Sequence, residues 1–512
     1  MITVRSAFAA LAIAFAWTSP AAAEWREVSS RHFVVYSDQP EAQVRRFTER
    51  LERFDSAVRL VRNMADPVLS PSMKVTVYVV PNVDTVQRLA GVRQAAGFYN
   101  PQVEGPIAVI PRKYGSDDHD LDPEIILYHE YAHHLLLSDL QQPVPMWLSE
   151  GFAEFFSTAD FEKDGSITLG RWAEHRLMTF GYGQFLPLET MLADKASGDQ
   201  IATLYAQGWL LTHYLTFDKS RRGQLTAFLA DIAAGSKPLD AAKKNFGNLR
   251  KLEGDLNGYF RRRSLSALRL NASLIKPVQL QARTLDRGAG EVMPWRIASK
   301  SGVDERTAPR VAAQVRQIAG AFPNDPMVLV TLAEAEIDTK RYQASESAAD
   351  RLLAIDPKSV DAMVFKGRSI MERAKEAGGN NADAFDTARD WFIRANRIDK
   401  EDPEPLTYYY RSYKLQGVAP TRNAVNAIHY ASSLMPQDDE VRMLSAVQYA
   451  RDNQIPEAKQ ALSLIAYSAH HGEQGKMVQS MMAKLSAGDG KGAAAIAEEA
   501  EKKSEAEAAK KK

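Results

Sequence analysis

The C-terminal half of this chain repeats a helical pattern, and a repeat restricts the possible folds more than any other feature of the sequence. Pro323 follows one helix-like run, and Pro357 follows the next one 34 residues later. The pattern restarts near residues 399–402 and 435–438. One such helix pair cannot bury its apolar face alone, so the pairs must stack on their neighbours. The sequence therefore predicts an all-α solenoid beyond about residue 285.

The periodic region resembles tetratricopeptide (TPR) repeats. One period before Pro323 lies Ala289, and we expect an array of four or five helix pairs over residues 289–472. The third repeat starts late, which indicates a loop insertion at residues 378–381. The resemblance implies a concave surface that binds a protein or peptide partner.

Chain length sets the other expected boundaries, because 512 residues are too many for a single core. We expect a mixed α+β domain over residues 24–265 and a linker over residues 266–288. Residues 473–512 are rich in Ala, Glu and Lys, and predict a disordered tail or a frayed helix. Three segments have the β-branched and aromatic content of strands: residues 32–37, 74–80 and 105–110.

The N-terminal segment predicts export. Arg5 precedes an apolar run over residues 7–17, and small residues follow up to Ala23, so residues 1–23 are interpreted as a signal peptide. About eleven apolar residues are too few to span a bilayer, which needs roughly 20. We therefore expect a periplasmic or extracellular protein without a stable membrane span.

Charge and cysteine content exclude some alternatives. Lys plus Arg and Asp plus Glu both total 64, so nothing indicates nucleic acid as a partner. The chain contains no cysteine. Any metal site must therefore use histidine and carboxylate ligands, and stability must come from packing rather than from disulfides.

One short motif carries most of the functional information. His129-Glu130-x-x-His133 lies in a predicted helix that begins after Asp122. The two histidines are one turn apart, so both imidazoles leave the same helix face and can bind one metal ion. Glu150, on the next predicted helix, can supply a third ligand, and Glu130 can take a proton from a metal-bound water. The structural alternative is a pair of partnered histidines beside surface carboxylates.

Together with Trp147-Leu148-Ser149-Glu150-Gly151, this motif resembles the gluzincin metallopeptidases, most closely their peptidase MA-like branch. The resemblance is sharp over about residues 124–157 and weaker over the rest of residues 25–263. It implies an α+β zincin-like domain and one Zn²⁺ per chain. By motif match, His129, His133 and Glu150 are the metal ligands, and Glu130 is the general base of peptide hydrolysis.

The segment Leu204-Tyr205-Ala206-Gln207-Gly208-Trp209 resembles the Tyr-x-x-Gly segment of the zinc aminopeptidases. The resemblance implies that Tyr205 hydrogen-bonds the oxyanion, and a core tyrosine is the structural alternative. His175 and His213 are further candidates for that role, or are partnered helix histidines.

Two residues beside the motif have structural interpretations. Glu154, one turn after Glu150, either accepts a hydrogen bond from a ligand imidazole or is a solvated carboxylate. His134 points about 100° away from its neighbour His133 around the helix and is interpreted as structural.

The substrate-binding elements are less well specified. The Gly-x-Met-Glu-Asn segment of the aminopeptidases has no counterpart before the motif helix, which favours endopeptidase over aminopeptidase action. The resemblance also implies a sheet edge that pairs with substrate backbone. Residues 106–110 are either that edge or an interior strand.

Three functions remain open from the sequence. The leading hypothesis is an exported zinc peptidase whose TPR array binds a protein partner. The second is a catalytically weak or inactive metallopeptidase-like scaffold that acts through protein binding by its repeats. The third is a hydrolase of non-peptide amides.

Overall fold

The computed structural model describes residues 24–93, 95–113, 122–139, 144–176, 179, 185–466 and 472–510. The signal peptide expected at residues 1–23 lies outside these residues. The described chain contains a domain built on a mixed sheet, followed by stacked helices. Within that part, no helix combines the length and the apolar character that a membrane crossing requires.

Two sheets occur in the N-terminal domain. The strands are β1 (Arg26–Ser29), β2 (Phe33–Ser37), β3 (Val75–Val80), β4 (Phe98–Asn100), β5 (Ile107–Pro111), β6 (Asp160–Phe161), β7 (Ile167–Leu169), β8 (Leu268–Leu270) and β9 (Gln281–Thr284). The large sheet has the order β4-β5-β3-β2-β1-β9, and the small sheet the order β6-β7-β8. Strand β3 pairs in parallel with β2 and β5, whereas β4 is antiparallel to β5. Residues 107–111 are therefore an interior strand, and β4 is the edge.

Helices account for most of the rest of this domain. They are α1 (Glu41–Arg62), α2 (Val83–Ala90), α3 (Pro123–Asp139), α4 (Met146–Ser157), α5 (Leu188–Leu192), α6 (Ile201–Phe217), α7 (Gln224–Ala233), α8 (Pro238–Phe246) and α9 (Leu249–Phe260). Helices α3 and α4 contact each other, and α4 packs on α6. These three helices carry all the candidate site residues that were chosen by motif match: His129, Glu130, His133, Glu150 and Tyr205.

Both faces of the large sheet are buried. On one face, Val35 and Val77 pack with Leu51 of α1 and Leu127 of α3. On the other face, Tyr78 belongs to a separate apolar cluster that includes residues of the first repeat helix. A strand that is buried on both sides reads as a continuous apolar run, which explains the sequence of residues 75–80.

The segment expected to be a linker is folded into the domain. Within residues 266–288, β8 pairs with β7, and β9 pairs with β1 at the far edge of the large sheet. Strand β8 alternates but has only three residues, and β9 lies largely at the surface, so neither gives a strong strand pattern. Edge strands of this kind are recognised by their backbone pairing rather than by their side chains.

The C-terminal part is an array of stacked helix pairs. Its helices are α10 (Arg287–Lys300), α11 (Ala308–Ala321), α12 (Pro326–Asp338), α13 (Tyr342–Ile355), α14 (Val360–Glu376), α15 (Ala382–Ile398), α16 (Pro403–Gln416), α17 (Arg422–Leu434), α18 (Asp439–Arg451), α19 (Ile455–Ala466), α20 (Gly472–Ser486) and α21 (Gly490–Lys510). Each odd-numbered helix from α11 to α19 contacts the helix before it, as the TPR-like pattern predicts.

The array differs from expectation in two places. The extra length between Pro357 and the restart at residues 399–402 is not confined to the loop at 378–381, because α14 and α15 have 17 residues each, against 13 and 14 in α12 and α13. Residues 473–510, which were expected to be a disordered tail or a frayed helix, form two helices. Helices α20 and α21 bury Val478 and Ala493 in a cluster with residues of α18 and α19.

Candidate metal centre

The motif helix α3 begins where the sequence indicates. The Asp122 side chain accepts a hydrogen bond from the Glu124 amide at 2.9 Å, which caps the first turn. Four residues separate His129 from His133, so the two rings leave the same face of α3. Their Nε2 atoms lie 3.2 Å apart.

Glu150 completes a triangle of ligand atoms. Its Oε2 atom lies 3.3 Å from Nε2 of His129 and 3.3 Å from Nε2 of His133. The Glu150 side chain is only 2% exposed. Glu150 lies on α4, which packs against α3. The first turn of α4 is held by the Met146 amide, which donates to the Asp194 carboxylate at 3.1 Å. The structure thus brings together the three side chains that the sequence selects as candidate ligands.

The triangle has the dimensions of a tetrahedral zinc site. At zinc–ligand distances of about 2.0–2.2 Å, two tetrahedral donors lie roughly 3.3–3.5 Å apart. All three observed separations are within about 0.2 Å of that range. Two imidazoles and one carboxylate are also a ligand set that catalytic zinc uses, with a fourth position left for water or substrate. The residues present therefore fit a divalent cation such as zinc.

Glu154 fixes the orientation of one ligand ring. Its Oε1 atom lies 3.2 Å from Nδ1 of His129, and its carboxylate also binds His175 and Arg176. A carboxylate at Nδ1 favours the tautomer that carries the proton there, so the Nε2 lone pair points to the centre. Ser149 performs a similar task from 3.1 Å at Nδ1 of His133. Glu154 is thus a buried hydrogen-bond partner rather than a solvated carboxylate.

The pKa shifts show that this centre favours a positive charge. Burial disfavours the charged ring of His129, but hydrogen bonds with Glu150 and Glu154 outweigh it and raise the pKa of His129 to about 10. Burial also raises the pKa of Glu150, yet His133 and His129 hold that pKa far below its usual range. Two carboxylates facing two imidazoles therefore stabilise either protons or a cation between them.

Glu130 lies beside the triangle and takes no part in it. The carboxylate forms no hydrogen bond or ion pair with any residue that the structure describes, and it is partly exposed. Burial raises the pKa of both Tyr99 and Tyr205, and the negative charge of Glu130 adds to each shift. No described residue therefore occupies the carboxylate.

Tyr205 also reaches the centre. Its ring stacks on His129 with centroids 5.8 Å apart and planes 7° from parallel, and the Arg176 guanidinium lies 5.1 Å from its centroid. Burial and then Glu150 raise the pKa of Tyr205, so its hydroxyl remains a hydrogen-bond donor. The structure therefore places this tyrosine against a ligand rather than in a remote part of the core.

Two glycines allow α4 and α6 to approach closely. A Cβ atom added to Gly151 would collide with the carbonyl of Gly208, and one added to Gly208 would collide with the carbonyl of Trp147. The glycines of the two sequence segments thus face each other. Close contact of these helices is what brings Tyr205 to the centre.

The other histidines near the motif have structural partners. His134 is buried, and its Nδ1 accepts from the Tyr99 hydroxyl at 2.7 Å. His213 accepts from the Tyr259 hydroxyl at 2.8 Å and donates to the Gly170 carbonyl at 2.9 Å. His175 holds Glu154 through a contact of 2.7 Å. None of these three rings points at the triangle.

A second cluster of possible ligands is better explained as an ion-pair network. His32 lies 2.8 Å from Glu52 through Nδ1 and 3.1 Å from Asp66 through Nε2. Both ring nitrogens therefore already face carboxylates. Asp55, the third member of the cluster, binds Arg59 at 2.8 Å. This network ties α1 to the start of β2.

Comparisons with known proteins identify no activity. Residues 126–240 match a family described as "Protein of unknown function (DUF1570)", and this match includes the whole triangle. No curated protein matches the chain.

Some solved structures are similar to the chain. A crystal structure of MamA is 16% identical, with 31% of this chain and 94% of that chain covered, at a TM-score of 0.25. The crystal structure of yeast Tom70 is 12% identical, with 73% and 76% covered, at a TM-score of 0.26. At such TM-scores the likenesses carry no conclusion about this chain.

Proposed function

We propose that the chain is a zinc-dependent hydrolase of peptide bonds. The observation that supports this most is the triangle of His129, His133 and Glu150 with zinc-like separations. A carboxylate and a phenol stand beside it, which are the groups that hydrolysis of an amide needs. This combination is the one that the gluzincin resemblance implies.

The side chains divide the work of hydrolysis. When bound, zinc would lower the pKa of a water towards neutrality and polarise the substrate carbonyl. Glu130 accepts the proton of the attacking water and then delivers it to the leaving amine. The Tyr205 hydroxyl donates a hydrogen bond to the oxygen on which negative charge develops. Glu154 keeps the His129 ring in place.

The sheet offers a candidate for substrate alignment. Because β5 is interior, the edge strand β4 replaces residues 106–110 as the segment that could pair with substrate backbone. Strand β4 contacts α3, the helix that carries Glu130. Pairing along an open edge accepts substrate on both sides of the cut bond, which supports endopeptidase action.

The test compares the wild-type chain with Glu130→Gln. Both proteins should bind about one zinc per chain, and casein hydrolysis by the variant should fall by about 10²–10⁴. Glu174→Gln is the matched control, because Glu174 is exposed and should tolerate the change. Glu150→Ala should in addition lose metal affinity. Zinc binding without hydrolysis by the wild type would refute the peptidase proposal.

The helical repeats favour a second candidate function, a protein-interaction scaffold that retains a metal centre. The two candidates differ in one result, since the scaffold binds zinc but shows no Glu130-dependent turnover of any peptide or amide. We also propose export, on the pattern of residues 1–23. If the chain is found only in the cytoplasm, with residues 1–23 still attached, the export proposal is contradicted.

A further inference from the structure

The repeats have one face that is lined by the first helix of each pair. Helices α12, α14 and α16 contact one another in sequence, and we call the surface that they share with the end of α10 the inner face. Lys300, Glu334 and Arg368 occupy equivalent positions on this face, one period apart. Lys300 lies 3.2 Å from Glu334, so the face carries a row of alternating charges.

The inner face is already in contact with the N-terminal domain. The loop over residues 101–106, which joins β4 to β5, lies against it. Val103 is 5% exposed and belongs to the same apolar cluster as Leu406 and Tyr410 of α16. Burial of this loop valine requires the array, because every other member of the cluster belongs to the array.

Glu104 anchors the same loop by charge. Its Oε1 atom accepts a hydrogen bond from the Tyr408 hydroxyl at 3.1 Å and lies 3.7 Å from the Arg368 guanidinium. Burial raises the pKa of Glu104, but Arg368 and Lys300 outweigh it and lower the pKa overall. The carboxylate is therefore stable in its charged form on the inner face.

The loop is shaped to present this carboxylate. Gly105 has φ of 104°, a conformation that other residues rarely adopt, and its amide donates to the Gln102 carbonyl at 3.0 Å. The turn projects Val103 and Glu104 away from the sheet and towards α16.

The array also touches the motif helix directly. Gln437, in the loop between α17 and α18, is 5% exposed, and its side-chain nitrogen lies 3.1 Å from Nδ1 of His134. Tyr99 of β4 reaches the same nitrogen. One residue of the array, one of the edge strand and one of the motif helix thus meet at a single point, next to the ligand His133.

We propose that the helical-repeat array is an internal clamp on the N-terminal domain, with residues 101–106 of its own chain as the occupant of its inner face. The clamp holds β4 and α3 in their relative positions. A protein partner that uses this part of the inner face must first displace Val103 and Glu104. The clamp stands on interdomain contacts alone. That it also keeps α3 in place for the metal centre rests on the proposed function.

Hydrogen–deuterium exchange on the metal-free full chain tests the clamp. Arg368→Gln should accelerate exchange of residues 98–111 and 123–139 by about tenfold or more, since it removes the buried cation that faces Glu104 as well as Glu404 of α16. Tyr408→Phe should do so to a smaller extent. The matched control is Arg373→Gln on the same helix, whose partner Glu346 lies within the array, 3.1 Å away. Its exchange in both segments should equal that of the wild type.

The contact is also tested from the other side. Glu104→Gln should accelerate exchange of residues 403–416. Because Glu104 and Arg368 are coupled, the exchange rate of the double variant should rise by less than the product of the two single-variant increases. Unchanged exchange of residues 98–111 in Arg368→Gln, or of residues 403–416 in Glu104→Gln, would overturn the clamp. A wild type that binds no zinc would instead overturn the proposed function and leave these exchange results standing.

Discussion

Replacing Glu154 with glutamine should weaken metal binding although Glu154 is not a ligand. Its carboxylate is 0% exposed, lies 3.2 Å from Nδ1 of His129, and is itself held by His175 and Arg176. Glutamine keeps the shape and can still accept one hydrogen bond. It loses the negative charge that makes the His129 ring a stronger electron donor and that fixes its tautomer.

The size of the effect follows from this geometry. Loss of a carboxylate partner behind a ligand histidine typically costs 10–100-fold in metal affinity. That range corresponds to about 1.4–2.7 kcal/mol. We expect a value near the lower limit, because the glutamine oxygen can still accept from Nδ1 while Arg176 and His175 hold the side chain in place.

Zinc affinity measured by chelator competition is the appropriate assay. Glu174→Gln serves as control, because Glu174 lies on the turn with His175 and is exposed. Urea unfolding of the metal-free variants separates loss of affinity from loss of fold. If Glu154→Gln is folded and binds zinc as tightly as the wild type does, the orientation of His129 by Glu154 plays no part in metal binding.

Three further predictions concern packing, chemistry and pH. Gly208→Ala should destabilise the chain by about 1–3 kcal/mol in urea unfolding, because the added methyl meets the α4 backbone. Gly254→Ala, at a helix position with open space, should instead stabilise it by about 0.5–1 kcal/mol; equal effects would refute the close-approach argument. Tyr205→Phe should lower the turnover number while zinc content stays unchanged, and normal turnover would restrict this tyrosine to packing. Burial raises the pKa of Asp194 to about 7. The protonated side chain therefore makes its full contribution to folding stability below the unfolded pKa of about 3.9, and this contribution is lost as the pH rises through about 7. Asp194→Asn should therefore lose less stability than the wild type between about pH 4 and pH 8, and identical pH profiles would contradict this.

Much of the helical structure could be predicted from the sequence. A helix was expected to begin after Asp122, and α3 begins at Pro123 with Asp122 as its cap. These elements follow local rules, since apolar spacing and capping residues depend on nearby sequence alone. The shared direction of His129 and His133 follows for the same reason, because their spacing on one helix fixes the face from which both rings project. Glu150 lies on a separate helix and was selected by its motif match.

The parts that could not be predicted depend on contacts between distant segments. Strand β4 has only three residues, and β9 at residues 281–284 is a surface strand recognised by its pairing with β1. The Glu154 network brings His175 and Arg176 from a separate turn, which no local pattern signals. The seating of Glu104 against Arg368 joins residues that are far apart in the chain. Only the folded chain shows that the inner face of the array is partly filled.

The proposed function depends on one cation held by three side chains, and anomalous diffraction at the zinc edge from crystals of the full chain tests this most directly. We expect one strong peak about 2.0–2.2 Å from Nε2 of His129, Nε2 of His133 and the Glu150 carboxylate. No peak at this position in zinc-loaded crystals, or a peak only at the cluster of His32, Glu52 and Asp55, would contradict the account.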